Sequence, residues 1–181
     1  EPLIEDCLVL LAHLEDARTV VDVGSGGGLP GLALKISRPE LELTLVEADQ
    51  SKAAFLVQAC ARLELAHTDV VAARAEEAGR DPRHRERYDV AVARAVAPMP
   101  VLVELCLPLV RVGGRLLAQK TDREEIAAAS HAIDSLGGSL RSVLPARSGI
   151  RASGLVVIVD KVMPTPAAYP RRPGVPNRKP L

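Results

Sequence analysis

Two spacings of hydrophobic residues alternate along the chain and together predict an α/β fold. Short apolar runs rich in β-branched residues predict strands over 19–23, 42–47, 68–73, 88–93 and 115–119. Apolar residues spaced three and four apart predict amphipathic helices over 3–14, 32–36, 51–65, 101–110 and 123–136. Because apolar strands separated by helices form parallel sheets covered on both faces, we expect a mostly parallel sheet with helices on both sides.

The pattern changes near the end of the sheet. Strands are predicted over 140–144 and 155–160, and the segment 147–154 between them is too short for a helical crossover of about a dozen residues. These two strands are therefore expected to form an antiparallel hairpin that completes a seven-stranded sheet.

Proline dominates the last part of the chain. Prolines at 164, 166, 170, 173, 176 and 180 predict an extended tail that lies outside the sheet. The expected division is a single domain over 1–162, which begins with a helix over 1–15, and a Pro/Arg-rich tail over 163–181.

Composition narrows the picture only slightly. The 181 residues are 48% hydrophobic, enough for one well-formed core, and the 23 basic and 23 acidic side chains cancel, so net charge indicates no partner. The cysteines are odd in number, lie in apolar stretches and lack C-x-x-C spacing, which predicts buried free thiols at Cys7, Cys60 and Cys106 and no metal site. No apolar run approaches the roughly 18 residues of a membrane span, so a cytoplasmic protein is expected.

A glycine-rich turn follows the first predicted strand. The spacing Gly26-x-Gly28-x-x-Gly31 satisfies the dinucleotide-binding fingerprint, and Glu47 ends the second strand about 20 residues further on, where an acceptor for ribose hydroxyls is expected. Glycines cost too much conformational entropy to cluster for packing alone. The turn therefore predicts a nucleoside cofactor, which the pattern leaves open between a nicotinamide dinucleotide and S-adenosylmethionine.

Asp22, at the start of this turn, distinguishes the two cofactors. A pyrophosphate would meet a like charge at Asp22, whereas the ammonium or sulfonium of S-adenosylmethionine would meet an opposite charge. With a single domain expected, we also expect no second domain after the sheet to present a hydride acceptor. Both observations favour a methyltransferase that binds S-adenosylmethionine.

Signatures of several methyltransferase substrates are missing from the sequence. There is no Asn/Asp-Pro-Pro-aromatic tetrapeptide, and Cys106 falls inside a predicted helix and not on a loop, where a nucleophile would stand. The four histidines are scattered and none has a strand-end partner that would make it a general base. We infer an acceptor atom that is already nucleophilic.

At this point five blocks make the sequence similar to a known family. The chain resembles the glucose-inhibited division protein B family, also called RsmG, over DVGSGGGLPGLALKI (22–36), RAEE (74–77), ARAVA (93–97), LPLVRVGG (107–114) and YPRRPGVPNRKPL (169–181). The resemblance implies a class I methyltransferase fold and transfer of a methyl group from S-adenosylmethionine to N7 of guanine 527 in 16S ribosomal RNA. It implies 16S RNA or the small ribosomal subunit as partner, and a monomer. A methyltransferase of another RNA or of a small molecule is the alternative, and a cofactor-binding module without activity is a third.

The resemblance and the glycine turn also imply site residues. Cofactor contacts are expected from Asp22, Gly24, Ser25, Gly26, Leu29, Glu47, Ala48, Asp49, Ala75, Glu76 and Arg94. Catalytic roles are expected for Arg94 and Lys120, and RNA contacts for Lys120, Arg171, Arg172, Arg178 and Lys179. The charged run 83–87 is expected to be a solvated face and not an RNA contact.

The implied chemistry agrees with the missing signatures. Guanine N7 carries an in-plane lone pair and no proton, so methyl transfer needs alignment of the reactants and not a general base. An arginine that paired with both O6 and N7, as in duplex readout, would cover the nucleophile. The arginines are therefore expected to hold phosphate or O6.

Overall fold

The sheet has the mixed architecture that the hydrophobic pattern predicts. In the computed structural model, which describes residues 2–146 and 153–181, the strands are β1 Thr19–Val23, β2 Glu42–Val46, β3 Thr68–Val71, β4 Tyr88–Arg94, β5 Val110–Lys120, β6 Gly138–Pro145 and β7 Leu155–Lys161. Their order in this described sheet is β3-β2-β1-β4-β5-β7-β6. Neighbours from β3 to β5 pair in parallel, whereas β7 pairs antiparallel with both β5 and β6. The predicted sheet and its antiparallel hairpin are thus confirmed, although residues 147–152 of the predicted connection lie outside the described residues.

Helices cover both faces of this sheet. They are α1 Pro2–Leu8, α2 Gly31–Ser37, α3 Gln50–Arg62, α4 Ala75–Ala78, α5 Met99–Cys106, α6 Arg123–Ala127, α7 Ser130–Ser135 and α8 Val175–Arg178. The period-two alternation of β4 divides its residues between two cores: Ala91 and Ala93 face the core under α5, while Val90 and Val92 face the core with Leu34 and Leu56. None of the helices in the described part of the chain has the length and apolar character that crossing a membrane requires.

Two predicted helices are divided in the structure. The N-terminal helix, expected over 3–14 from the apolar spacing and over 1–15 as an element of the domain, ends at Leu8. It is followed by a separate 3-10 helix, Leu11–His13, and Leu10 and Leu14 are buried in the core. The helix expected over 123–136 breaks after Ala127 into α6 and α7, and Ile126 and Ile133 on either side of the break enter the same core. In both places burial of the apolar side chains overrides a continuous helical period.

The predicted boundary between helix 101–110 and strand 115–119 is also wrong. Helix α5 ends at Cys106, because Pro108 two residues later lacks the N–H that would continue the helix. Val110 already belongs to β5, which runs for 11 residues. Within β5, Gly114 passes so close to the Asp89 carbonyl that a Cβ there would collide with it, so the glycine is needed for a tight approach to β4.

The proline-rich tail lies outside the sheet, as predicted, and is docked on the domain. Arg85 holds it by donating to the Tyr169 carbonyl (Nη1 to O, 2.8 Å) and the Thr165 carbonyl (Nη2 to O, 2.7 Å). Arg80 Nε donates to the Pro170 carbonyl at 2.7 Å. The prediction that 83–87 is simply a solvated face is therefore wrong for Arg85, whose guanidinium donates to two carbonyls of the proline-rich segment, where proline supplies no backbone N–H.

Candidate active site

A cleft lies at the carboxyl ends of β1, β2, β3 and β4. Its walls include Gly24, Glu47, Ala75, Glu76 and Val96. The chain runs outward from β1 through β2 to β3 and then returns to β4 on the other side of β1, so the cleft stands where the strand order reverses. Open parallel sheets bind their ligands at this point, because loops on either side diverge and leave a crevice.

Glu47 connects the glycine turn to the end of β2. Its Oε2 accepts a hydrogen bond from the Gly26 N–H at 2.8 Å, and its Oε1 accepts one from the Asp49 N–H at 2.8 Å. The side chain is almost fully enclosed, with 8% of the residue exposed, yet it belongs to the cleft wall. Because each carboxylate oxygen can accept a further hydrogen bond, Glu47 is suited to a ligand with two adjacent hydroxyl groups.

Gly24 follows β1 beside Glu47, with its N–H donating to the Val46 carbonyl at 2.9 Å. Its φ of +71° is in the left-handed region, and a Cβ there would lie 2.9 Å from Val96 Cγ2. Both constraints exclude a side chain at this position without rearrangement. The glycine therefore lets β1 end directly against whatever occupies the cleft.

Asp22 lies beneath the glycine turn and does not line the cleft wall. Only 1% of it is exposed, and its Oδ2 accepts from the Gly31 N–H at 2.8 Å, where a glycine Cβ would approach the same oxygen to 2.7 Å. Ser25 is equally internal, with its Oγ donating to the Asp22 carbonyl at 2.9 Å. Burial raises the pKa of Asp22 to about 7, against the opposing effects of the Gly31 hydrogen bond and the charge of Arg94. Both residues thus shape the turn from below.

Arg94 ends β4 at the same sheet edge. Its Nε is buried and has no hydrogen-bond partner among the described residues, as is also true of Asp22 Oδ1. The charge of Arg94 acts on the buried Asp22 carboxylate, where it opposes the rise in pKa, and Arg94 is not among the residues that line the cleft. Arg94 therefore combines a position at the ligand-binding edge with a donor that the described protein groups leave unused.

Lys120 ends β5 but its ammonium is already engaged. Nζ donates to Glu125 Oε1 at 2.6 Å and also to the Ala97 carbonyl. Only 9% of the lysine side chain is exposed. In this arrangement Lys120 ties β5 to α6 and to the loop after β4, so its charge is directed at protein groups and not at solvent.

Of the remaining predicted cofactor residues, some line the cleft and others stabilise the structure around it. Ala48, Ala75 and Glu76 line the cleft, and Glu76 is buried with its Oε1 accepting from the Gly174 N–H at 2.8 Å. Asp49 instead begins α3, where its Oδ1 accepts from the N–H groups of Ser51 and Lys52 at 2.9 and 3.0 Å.

Leu29 is half-buried in the turn and is not part of the cleft wall. The predicted cofactor residues that do not line the cleft are therefore Asp22, Ser25, Gly26, Leu29, Asp49 and Arg94.

The tail residues expected to contact RNA fall into two groups, one residue in an ion pair and three exposed to solvent. Arg171 forms a bidentate ion pair with Glu104, with Nη2 to Oε2 at 2.5 Å and Nε to Oε1 at 2.9 Å, and the Glu104 side chain is fully buried. Arg172, Arg178 and Lys179 are exposed. The structure thus uses one of these cations to hold the tail and leaves three on the surface.

Sequence reasoning missed Asn177 and Glu104. Asn177 lines the cleft, although it lies about a hundred positions from Glu76 in the chain and carries no spacing signal. Glu104 is a buried acid in an otherwise apolar helix, an exception to the pattern that could have indicated a buried cationic partner. Among residues 2–146 and 153–181, no group of three or more His, Cys, Asp or Glu could hold a metal ion.

Solved structures with the same fold are methyltransferases. A geranyl diphosphate methyltransferase solved with S-adenosylmethionine aligns with a TM-score of 0.67 and 14% identity, covering 88% of this chain and 85% of that one. An rRNA methylase from Streptococcus thermophilus aligns with a TM-score of 0.60 and 21% identity, covering 90% of this chain and 98% of that one. The sheet order and the terminal antiparallel hairpin give this chain the class I methyltransferase fold.

Sequence relatives identify the family within this class. The rRNA small subunit methyltransferase G family matches residues 1–152. A ribosomal RNA small subunit methyltransferase G from Roseiflexus castenholzii is 53% identical over 165 residues, which cover 90% of this chain and 70% of that protein. The chain belongs to the rRNA small subunit methyltransferase G family, and the resemblance of the five blocks is confirmed.

Proposed function

We propose that this protein transfers a methyl group from S-adenosylmethionine to N7 of guanine 527 in 16S ribosomal RNA. Membership in the rRNA small subunit methyltransferase G family supports the substrate class. The observation that best supports the cofactor assignment is the geometry of Glu47. This enclosed carboxylate at the end of β2 holds the glycine turn and can still accept hydrogen bonds from two ribose hydroxyls. The partner is then 16S RNA or the small ribosomal subunit in the cytoplasm, and one chain carries the whole cleft.

The groups of the cofactor match distinct residues. Gly24 admits it against the backbone, Glu47 accepts from its ribose, and Ala75 and Glu76 flank its adenine at the end of β3. The unpaired Arg94 Nε is a donor for the methionine carboxylate, which is the anionic group of the cofactor. The bound cofactor supplies an electrophilic methyl group, and the protein supplies its orientation.

Alignment is the catalytic task that this site can perform. Guanine N7 needs no deprotonation, and orienting two reactants accounts for up to about 7–11 kcal/mol of barrier reduction. Arg94 lies at the edge where donor and acceptor meet, so it serves both as cofactor contact and as the residue that fixes their relative position. Lys120, through its bonds to Glu125 and the Ala97 carbonyl, holds the loop after β4 and so contributes to catalysis by positioning.

RNA contacts come from the exposed cations of the tail. Arg172, Arg178 and Lys179 lie on the segment that docks beside the cleft, and none is paired with an acid among the described residues. Contacts of arginine and lysine with phosphate position a nucleic acid without reading its sequence. We therefore assign backbone binding to these three residues, and a supporting role within the tail to Arg171.

A methyl-transfer assay tests this function. Tritiated S-adenosylmethionine is offered with unmethylated 30S subunits, with naked 16S RNA and with 16S RNA carrying adenine at position 527, and borohydride–aniline cleavage maps N7-methylguanine. Transfer to wild-type RNA or subunits with cleavage at 527, and none to the substituted RNA, is the expected result. Labelling of small molecules alone, or of another RNA position, would contradict the proposal.

Arg94→Ala provides the matched test of the site. We expect transfer to fall by about a hundredfold, the loss that a misplacement of the reactants by about 1 Å can cause. Arg62→Ala, which removes an exposed arginine from α3, serves as the control and is expected to keep full activity and folding. Unchanged transfer by a folded Arg94→Ala protein would exclude the role of Arg94.

A further inference from the structure

Helix α8 brings one amide side chain to the wall of the cleft. Asn177 lies there with Glu76 and Leu105, two residues that belong to α4 and α5. The residue is exposed, and its amide forms no hydrogen bond with any group in the described ranges. An unpaired amide at a ligand cleft offers one donor and one acceptor side by side.

Two buried carboxylates hold the segment that carries this amide. Glu104 binds the Arg171 guanidinium and also accepts from the Arg171 N–H at 2.8 Å. Glu76 accepts from the Gly174 N–H at 2.8 Å, only three positions before Asn177. Pro176 is buried next to it. The backbone of the segment 171–178 is thus held on the domain at Arg171 and Gly174, which places the Asn177 backbone beside the cleft before any ligand binds.

The position of Asn177 in the cleft determines which part of the cofactor it can contact. Glu47, at the end of β2, faces the ribose, and the next strand outward, β3, leads into Ala75 and Glu76, which flank the base. Asn177 is adjacent to this outer part of the cleft through the bond between Gly174 and Glu76. An asparagine amide can accept from the exocyclic amine of adenine and donate to a neighbouring ring nitrogen.

We propose that the segment 171–178 forms one wall of the S-adenosylmethionine site and that Asn177 hydrogen-bonds the adenine edge of the cofactor. This proposal rests on the proposed cofactor. The tail then has two roles, because the helix that places Asn177 on the cofactor also carries Arg178, followed by Lys179, toward the RNA. The sequence alone does not indicate that the tail and the glycine turn contribute to one cofactor site, because they lie far apart in the chain.

Binding of S-adenosylhomocysteine, and of the analogue with unsubstituted purine in place of adenine, tests the proposal by calorimetry. The wild-type protein is expected to bind the adenine ligand about fivefold more tightly than the purine ligand, the value of one neutral hydrogen bond. In Asn177→Ala both hydrogen bonds to adenine are lost, so the adenine ligand is expected to bind about 25-fold more weakly than in wild type, and the preference for adenine over purine is expected to disappear.

A control variant at a second exposed amide distinguishes loss of the Asn177 contact from a general effect of removing an amide. Gln58→Ala removes an exposed amide from α3, away from the cleft, and is expected to leave both affinities unchanged. An Asn177→Ala protein that keeps the adenine preference, or that keeps wild-type affinity for both ligands, would overturn the contact. If the wild-type protein binds neither ligand, the proposed cofactor fails, which is a different result from failure of the Asn177 contact alone.

Discussion

The ion pair between Arg171 and Glu104 should be a main support of the docked tail. The Glu104 side chain is fully buried and accepts four hydrogen bonds, all from Arg171, one of them from its backbone N–H. The side chain of Arg171 is 22% exposed. Substituting Arg171 by Met would leave the carboxylate with a single donor in an apolar environment.

The expected loss follows from this geometry. Removing one partner of a buried ion pair costs about 3–5 kcal/mol, because the remaining charge stays desolvated. The retained backbone donor and the partial exposure of Arg171 place Arg171→Met near the lower limit, so we expect the free energy of unfolding to fall by about 3 kcal/mol. Adding Glu104→Leu removes the stranded charge, and this double variant is expected to be within about 1 kcal/mol of wild type.

Urea denaturation at pH 7, followed by circular dichroism, measures these differences. Arg172→Met is the matched control, since Arg172 is the exposed neighbour of Arg171 and should change stability by no more than about 0.5 kcal/mol. A loss below about 1 kcal/mol for Arg171→Met is the size of a surface pair and would refute the reasoning. A double variant as unstable as the single one would refute it as well.

Three further predictions follow from other buried polar groups. The pKa of Asp22 rises from 3.8 to about 7 on folding, so ionisation of Asp22 lowers the stability of the wild-type protein progressively between about pH 4 and pH 7. Asp22→Asn should remove this loss. At pH 8 the variant should therefore be the more stable protein, by on the order of 4 kcal/mol at most. Lys120→Met should lower the free energy of unfolding by about 1–3 kcal/mol, because it leaves the Glu125 carboxylate and the Ala97 carbonyl without their shared donor. Cys7, Cys60 and Cys106 are buried, and burial raises the pKa of Cys60 and Cys106, so Ellman's reagent should detect less than one thiol per native chain and three after unfolding.

Each of these has its own contradicting result. Parallel stability curves for Asp22→Asn and wild type from pH 5 to pH 8 would show that Asp22 does not titrate as described. For the lysine, Glu125→Gln keeps an acceptor oxygen and should lose less stability than Lys120→Met; equal stability of Lys120→Met and wild type would exclude the positioning role. A native thiol that reacts as fast as free cysteine would show that the protein opens around it.

Local pattern accounts for most of the sheet. The strands are short apolar runs, and their hydrophobicity is a property of neighbouring residues. The glycine turn is also visible in the sequence, because glycine adopts φ values such as the +71° of Gly24 without the strain that a side chain causes. Helix boundaries are predicted less accurately: α1 ends at Leu8 and α6 at Ala127, inside segments whose apolar period continues, because burial of the following side chains decides the winding. The family itself was evident from the five blocks, because each preserves residue types in a fixed spacing.

The sequence by itself therefore determined the sheet, the glycine turn after β1 and the family, and it predicted Glu47 as a cofactor contact. Only the tertiary structure decided which charges are free. Arg171 and Arg172 are adjacent and chemically alike, yet one is paired with Glu104, 67 positions away, and the other faces solvent. The physical reason is that a side chain's charge is local to the sequence, whereas its counter-ion, its burial and its distance from a ligand are set by chain segments that meet only when the protein folds.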